Sequence, residues 1–168
     1  TCVVSAQQFP VKSVRMIAPF PAGGGADLSA RRLAERLNFA WKQPVVVQNV
    51  AGGAGNVAAA TVAASEPDGY TLFSRVADPR HEPGSLRLLP FDPDRDFAPV
   101  VLLAQTPHIL LVATSSPASG LRELLALAKA NPGKLNFGSG GQGTSLHLAG
   151  ELLKSLAGID IVHIPYKG

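Results

Sequence analysis

Twice in this chain a short apolar run passes directly into a glycine-rich loop and then into a helical pattern. The first loop is Pro19-Phe20-Pro21-Ala22-Gly23-Gly24-Gly25-Ala26-Asp27. It lies between the run Val14 to Ala18 and a helix predicted over Asp27 to Phe39, with Leu28, Leu33, Ala34 and Leu37 on one face. The second is Gly138-Ser139-Gly140-Gly141-Gln142-Gly143-Thr144-Ser145. It lies between Leu135-Asn136-Phe137 and a helix predicted over Ser145 to Ala157, with Leu148, Leu152 and Leu156 in register. A short strand that hands over to a helix across so tight a loop is half of a βαβ unit, which closes only onto a parallel strand.

The rest of the pattern agrees. Pro44 introduces a strand over Val45 to Gln48, and a third glycine loop, Gly52-Gly53-Ala54-Gly55, precedes an alanine-rich helix over Asn56 to Ala64. Pro67-Asp68-Gly69 is a turn, followed by a strand over Tyr70 to Phe73. Residues Val76 to Pro99 are proline-rich and irregular. Strands are predicted over Val100 to Leu103 and Ile109 to Ala113, then a helix over Leu121 to Ala130 that Asn131-Pro132-Gly133 stops, and strands over Leu135 to Phe137 and Ile161 to Ile164. The expected fold is α/β with parallel sheets in two lobes. The first spans residues 7–104, and the second starts at 105 and runs to 168, with a crossover near Ala104 to Pro107. The second lobe has too few helices to cover its strands, so it is expected to be incomplete.

Apolar residues make up 46% of the chain and charged residues 16%, which predicts a packed core. The net charge of +3 comes from scattered basic residues. Arg31, Arg32 and Arg36 share one helix and read as a solvated face, so no nucleic-acid partner is expected. Cys2 is the only cysteine, which excludes an internal disulfide and a cysteine-based metal site. Residues 1–6, ending in Val4-Ser5-Ala6, read as the tail of a secretory leader, with an ordinary frayed terminus as the alternative. The most apolar stretch, Ala98 to Thr114, is broken by Pro99, Gln105, Pro107 and His108, so no membrane insertion is expected.

The chemistry lies in the loops. The first turn of a helix has unpaired N–H groups and partial positive charge, and so attracts carboxylates and phosphates. Two such loops imply a ligand with two anionic ends, or one anion held from both sides. Backbone groups should dominate in the first loop, because Pro21, Ala22 and the glycines offer no polar side chain. Asp27 would repel an anion and is therefore expected to shape the loop by accepting N–H bonds. In the second loop the Thr144 and Ser145 hydroxyls can donate to a carboxylate.

Two enzyme readings compete. Gly138, Gly140 and Gly143 match the GxGxxG dinucleotide fingerprint, which keeps a nucleotide-dependent oxidoreductase as the alternative. The expected acidic residue about 20 positions on has only Asp160 to fill its place, before the strand and not at its end. A hydrolase reading of Ser139, Ser145 and His147 lacks a GxSxG elbow. Ser145 as a helix N-cap and His147 as a capping or packed residue is the simpler account. His81, His108 and His163 have no metal-ligand spacing, and no cofactor is expected.

Several segments together resemble one known family. They are Ile17 to Asp27 (IAPFPAGGGAD), Pro67 to Leu72 (PDGYTL), Leu89 to Pro93 with Asp96 to Val100, Pro132 to Asn136 (PGKLN), His147 to Leu152 (HLAGEL) and Ile164 to Gly168 (IPYKG). In this order they are similar to the Bug-type extracytoplasmic solute receptors of tripartite tricarboxylate transporters. The resemblance implies a two-lobed, Venus-flytrap, type II-like periplasmic binding protein, monomeric and without enzymatic activity. Such a receptor captures a small carboxylate between its lobes and delivers it to membrane transporter subunits. Its site, carried over, comprises Phe20, Pro21, Ala22, Gly23, Gly24 and Asp27 with Ser139, Gly140, Gly143, Thr144 and Ser145. The chain departs from the family pattern at Ser74 to Glu82, where small and hydroxyl residues normally lead into a helix. It also ends where the family continues, so a defunct truncated receptor is a further alternative.

Overall fold

A parallel strand, β1 (Val14–Ala18), runs between β2 (Val45–Asn49) and β3 (Thr71–Phe73). The computed structural model describes residues 8–75, 89–105 and 107–166. The readings made on Cys2, Val4 to Ala6, Val76 to Leu88 with His81, and Lys167-Gly168 lie outside the described residues. The chain forms two compact units, Thr1–Phe97 and Ala98–Gly168.

In the first unit β1 connects to β2 through α1 (Gly25–Trp41), and β2 connects to β3 through α2 (Asn56–Ala63). The path moves to one side of β1 and then back across it. Right-handed crossovers therefore place the two helices on opposite faces. The packing agrees. Val14, Met16 and Ala18 cluster with Ala30 and Ala34 of α1 and Val45 of β2. Ile17, which points the other way, lies outside that cluster, as do Ala58 and Ala59 of α2, although all three are fully buried. Each buried Val, Met or Ile side chain here is worth roughly 1.5–3 kcal/mol relative to exposure. Leu33, Ala34 and Leu37 of the expected α1 face pack against the sheet, and only Leu28 departs from it. Leu28 is exposed, and the packed stripe is Ala30, Leu33, Ala34, Leu37 and Trp41. Leu28 lies on the opposite side of the helix from Ala30 and Leu37, which face the sheet. After α1, Lys42 takes a left-handed conformation (φ 53°) and its N–H caps Asn38 O. The Asn38 side chain then accepts the Val45 N–H at the start of β2. The turn before β3 is built as its residues predict: Asp68 accepts the Tyr70 N–H at 2.9 Å, and Gly69 supplies φ 82°.

The second unit holds α3 (Leu121–Ala130), β4 (Asn136–Ser139), α4 (Ser145–Ala157) and β5 (Val162–Pro165), with β4 and β5 parallel. Ala128, Ile159 and Ile161 form its buried centre, packed by Leu125, Leu135, Phe137, Leu153 and Ala157. The predicted stripe Leu148, Leu152, Leu156 is therefore not the packed face of α4, since Leu152 and Leu156 are exposed. The strands predicted over Val100 to Leu103 and Ile109 to Ala113 are also absent. An apolar run becomes a strand only where a neighbour completes its ladder. No described strand pairs with either run, and Val100, Leu102, Ile109 and Leu111 are exposed. Among the described residues no helix is long and apolar enough to cross a membrane.

Candidate functional site

The first glycine loop leaves the carboxyl end of β1, where the strand order reverses. Ligands of open α/β sheets bind in such crevices. Its neighbours fix its path. Ser74, just after β3, is buried and donates its N–H to Ile17 O at 2.9 Å. Gly55 packs so closely beneath Pro19 that a Cβ there would stand 3.1 Å from the proline Cβ, and its φ of 97° already favours glycine.

Asp27 is the organiser of this loop. It is 2% exposed and sits in the first turn of α1. Its Oδ2 accepts the Gly23 N–H at 2.8 Å and Arg31 Nε at 2.9 Å, while Oδ1 accepts Asn49 Nδ2 at 2.9 Å. Asn49 Nδ2 also donates to Phe20 O at 2.9 Å, and Arg31 donates to Asn49 Oδ1 at 3.1 Å. The Arg31 bond, then the Gly23 and Asn49 bonds, hold the Asp27 pKa down to about 2 against a desolvation that pushes the other way. The carboxylate is thus ionised, paired and turned inward. Gly24 caps α1 in an extended conformation without a side-chain acceptor, so the first amides of the helix keep their bonding capacity. Pro21, Ala22 and Gly23 are exposed beside them.

The second loop leaves the carboxyl end of β4 and is also tied by its own side chains. The N-cap of α4 is Thr144 and not Ser145. Thr144 Oγ1 accepts the His147 N–H at 3.4 Å and donates to Gly141 O at 2.7 Å. The threonine hydroxyl hydrogen is therefore committed to the loop. Ser139, 6% exposed at the end of β4, accepts the Gly141 N–H at 3.2 Å, with Gly141 O at 3.1 Å and His163 Nε2 at 2.7 Å from its Oγ. His147 Nδ1 accepts the Gly143 N–H at 3.2 Å, which is the capping role expected of it. Gly141 and Gly143 have φ of 124° and 83°, conformations that favour glycine. Gly140 and Ser145 are half-buried, and among the described residues no hydrogen bond engages the Ser145 hydroxyl.

Behind this loop three rings stack. His163 lies between Phe137, at 4.9 Å between centroids, and His147, at 4.1 Å. Burial first, and His147 second, lower the His163 pKa from its ordinary value. Sequence reasoning did not join these residues, nor Arg31 and Asn49 to Asp27. The signals were present. Parallel pairing of β4 with β5 puts Phe137 opposite His163, and Arg31 follows Asp27 by one helical turn.

Parallel α/β units with glycine loops at strand carboxyl ends define the architecture of a ligand-binding α/β protein. The chain belongs to the tripartite tricarboxylate transporter family receptors, whose sequence profile matches residues 29–168. It is 38% identical to the protein BugT of Bordetella pertussis, over 98% of this chain and 51% of BugT. Its fold is similar to that of R. palustris Rpa4515 with adipate (TM-score 0.84, 34% identity, 95% of this chain and 54% of that one). It is also similar to MatC from Rhodopseudomonas palustris with bound malate (TM-score 0.83, 30% identity, 95% and 55%). The chain spans about half the length of the curated relatives it matches. The oxidoreductase alternative gains no support. Asp160 precedes β5, is exposed, and uses its carbonyl to accept the Gly133 N–H.

Proposed function

We propose that the chain is the ligand-binding part of a periplasmic receptor that captures a small carboxylate and passes it to a membrane transporter, acting as a monomer and without catalysis. The observation that carries this reading is common to both loops. Their polar side chains turn inward to fix the backbone, which leaves the first amides of α1 and the Ser145 hydroxyl available to an anion. Malate and adipate in the solved neighbours favour carboxylates as the ligand class. In this reading each loop meets a carboxylate group with its own amides. Those of Ala22 and Gly24 to Ala26 serve in the first loop and those of Gly140, Ser145 and Leu146 in the second, while the Gly23 N–H stays with Asp27. Phe20, Asp27, Ser139, Gly143 and Thr144 hold the loops in shape.

Thermal unfolding with malate, adipate, citrate and a nicotinamide dinucleotide tests it. A ligand at a hundred times its Kd should add about 2.7 kcal/mol to the stability of the unit it binds. Stabilisation by at least one carboxylate and not by the dinucleotide is expected. Stabilisation by the dinucleotide alone would overturn the proposal.

A further inference from the structure

We infer that His163 is a proton-linked positioning residue of the second loop, holding Ser139 through Nε2 and taking up a proton when a carboxylate occupies the loop. The inference rests on the receptor reading above and adds a regulation to it.

A hydroxyl has one hydrogen and two lone pairs. Ser139 Oγ accepts the Gly141 N–H and has two further neighbours, Gly141 O at 3.1 Å and His163 Nε2 at 2.7 Å. All three contacts are satisfied together when Ser139 donates to Gly141 O and His163 Nε2 carries a hydrogen that it donates to Ser139. Protonating His163 then adds a hydrogen at Nδ1, which bonds to no atom of the described residues. No loop bond is broken.

His147 is different. Its Nδ1 accepts the Gly143 N–H, and a proton there would set two N–H groups against each other. Its ring stacks on His163 at 4.1 Å, a separation that resists two charges. A proton on His163 leaves the Gly143 bond intact, whereas one on His147 Nδ1 would break it. Around His163 stand Phe137 and Ser139 from β4, and His147, Glu151 and Lys154 from α4. Glu151 favours the charged ring, while Lys154 and His147 oppose it. Without ligand, burial favours the neutral ring. A carboxylate held by the amides of the same loop adds negative charge near the ring.

The test uses whichever of malate and adipate binds more tightly, at pH 6 and pH 8, both above the ordinary carboxylate range. The parent should bind about fivefold more tightly at pH 6, within the tenfold that one unit of coupling allows. His163→Gln keeps an N–H for Ser139, so it should bind like the parent at pH 8 and show no gain at pH 6. A flat parent, or a variant that keeps the gain, overturns the inference while the affinity at pH 8 still stands for the receptor. If His163→Gln fails to fold, the His163 ring titration by NMR decides. A titration midpoint raised by saturating ligand supports the inference, and an unchanged one overturns it. No binding at either pH overturns the receptor reading and this one with it.

Discussion

Gly150 lies in the middle of α4, where intrinsic propensity alone makes alanine better than glycine by about 1 kcal/mol. The packing reverses that preference. A Cβ on Gly150 would lie 2.2 Å from Phe137 Cε2, 2.7 Å from Cζ and 2.8 Å from Cδ2. Carbon atoms pack best at roughly 3.5–4.0 Å, so the ring must retreat by about 1.5 Å. It is hemmed in by His163, stacked on it at 4.9 Å, and by the core it packs with Leu125, Leu135 and Leu153. At a contact this short the cost falls in the upper part of the overpacking range, about 2–3 kcal/mol, which outweighs the gain in propensity. Gly150→Ala should therefore destabilise the second unit by about 1–2 kcal/mol net. For a unit of this size, that lowers the unfolding midpoint by roughly 4–15 °C. Circular dichroism melts measure it, and the double variant Gly150→Ala/Phe137→Leu identifies the cause. Shrinking the ring should make the pair less damaging than the sum of the single changes by more than about 0.5 kcal/mol. A single variant that melts at or above the parent would refute the idea that Phe137 is held in place.

Thr144→Ala removes the α4 cap and should cost about 1 kcal/mol, read as a lower urea midpoint. Ser145→Ala should leave that midpoint unchanged and weaken carboxylate binding roughly tenfold or more, since each charge-assisted bond is worth about 1.5–3 kcal/mol. Because the Asp27 pKa is depressed from 3.8 to about 2, its stabilisation is full above about pH 4 and is lost as pH falls through 2. The gap in melting temperature between parent and Asp27→Asn should therefore be widest near neutrality and close toward pH 2. A gap that did not change with pH would exclude the ionised carboxylate as its source.

The sequence disclosed what is local. The helices over Leu121–Ala130 and Ser145–Ala157 match their predicted bounds, because Pro132-Gly133 and Thr144 act within a turn of where they stand. It did not disclose what depends on a partner. Val100 to Leu103 and Ile109 to Ala113 have strand composition, but a ladder is a property of two segments, and neither run has a partner among the described strands. The Leu148, Leu152, Leu156 stripe misled for a related reason. Gly150 allows Phe137 to approach α4 closely, and this turns a different face, with Leu153 and Ala157, toward the core. The glycine loops at the strand ends were legible, and so was Asp27 as a residue that shapes the first loop by accepting an N–H bond. The links from Asp27 to Asn49 and from Ser139 to His163 join residues 22 and 24 positions apart, which only the sheet register brings together.

The two loops fix their backbones by different means, and their responses to acid should therefore separate. The first loop pairs Asp27 with Arg31 and two further donors, so its architecture stays charged and intact down to the low pKa of that group. The second loop uses as acceptors the Ser139 hydroxyl and the His147 Nδ1, backed by a His163 whose neutral form burial favours. A histidine held neutral in the fold binds fewer protons than it does in the unfolded chain. Its unit therefore loses stability as pH falls below the ordinary histidine value of about 6.5. Acid should thus weaken the ligand-free second unit first, well before Asp27 titrates in the first. A bound carboxylate that raises the His163 pKa should oppose that loss. The stabilisation conferred by ligand should consequently grow as pH falls from 8 to 6, and a stabilisation that shrank over that range would contradict the assignment of His163.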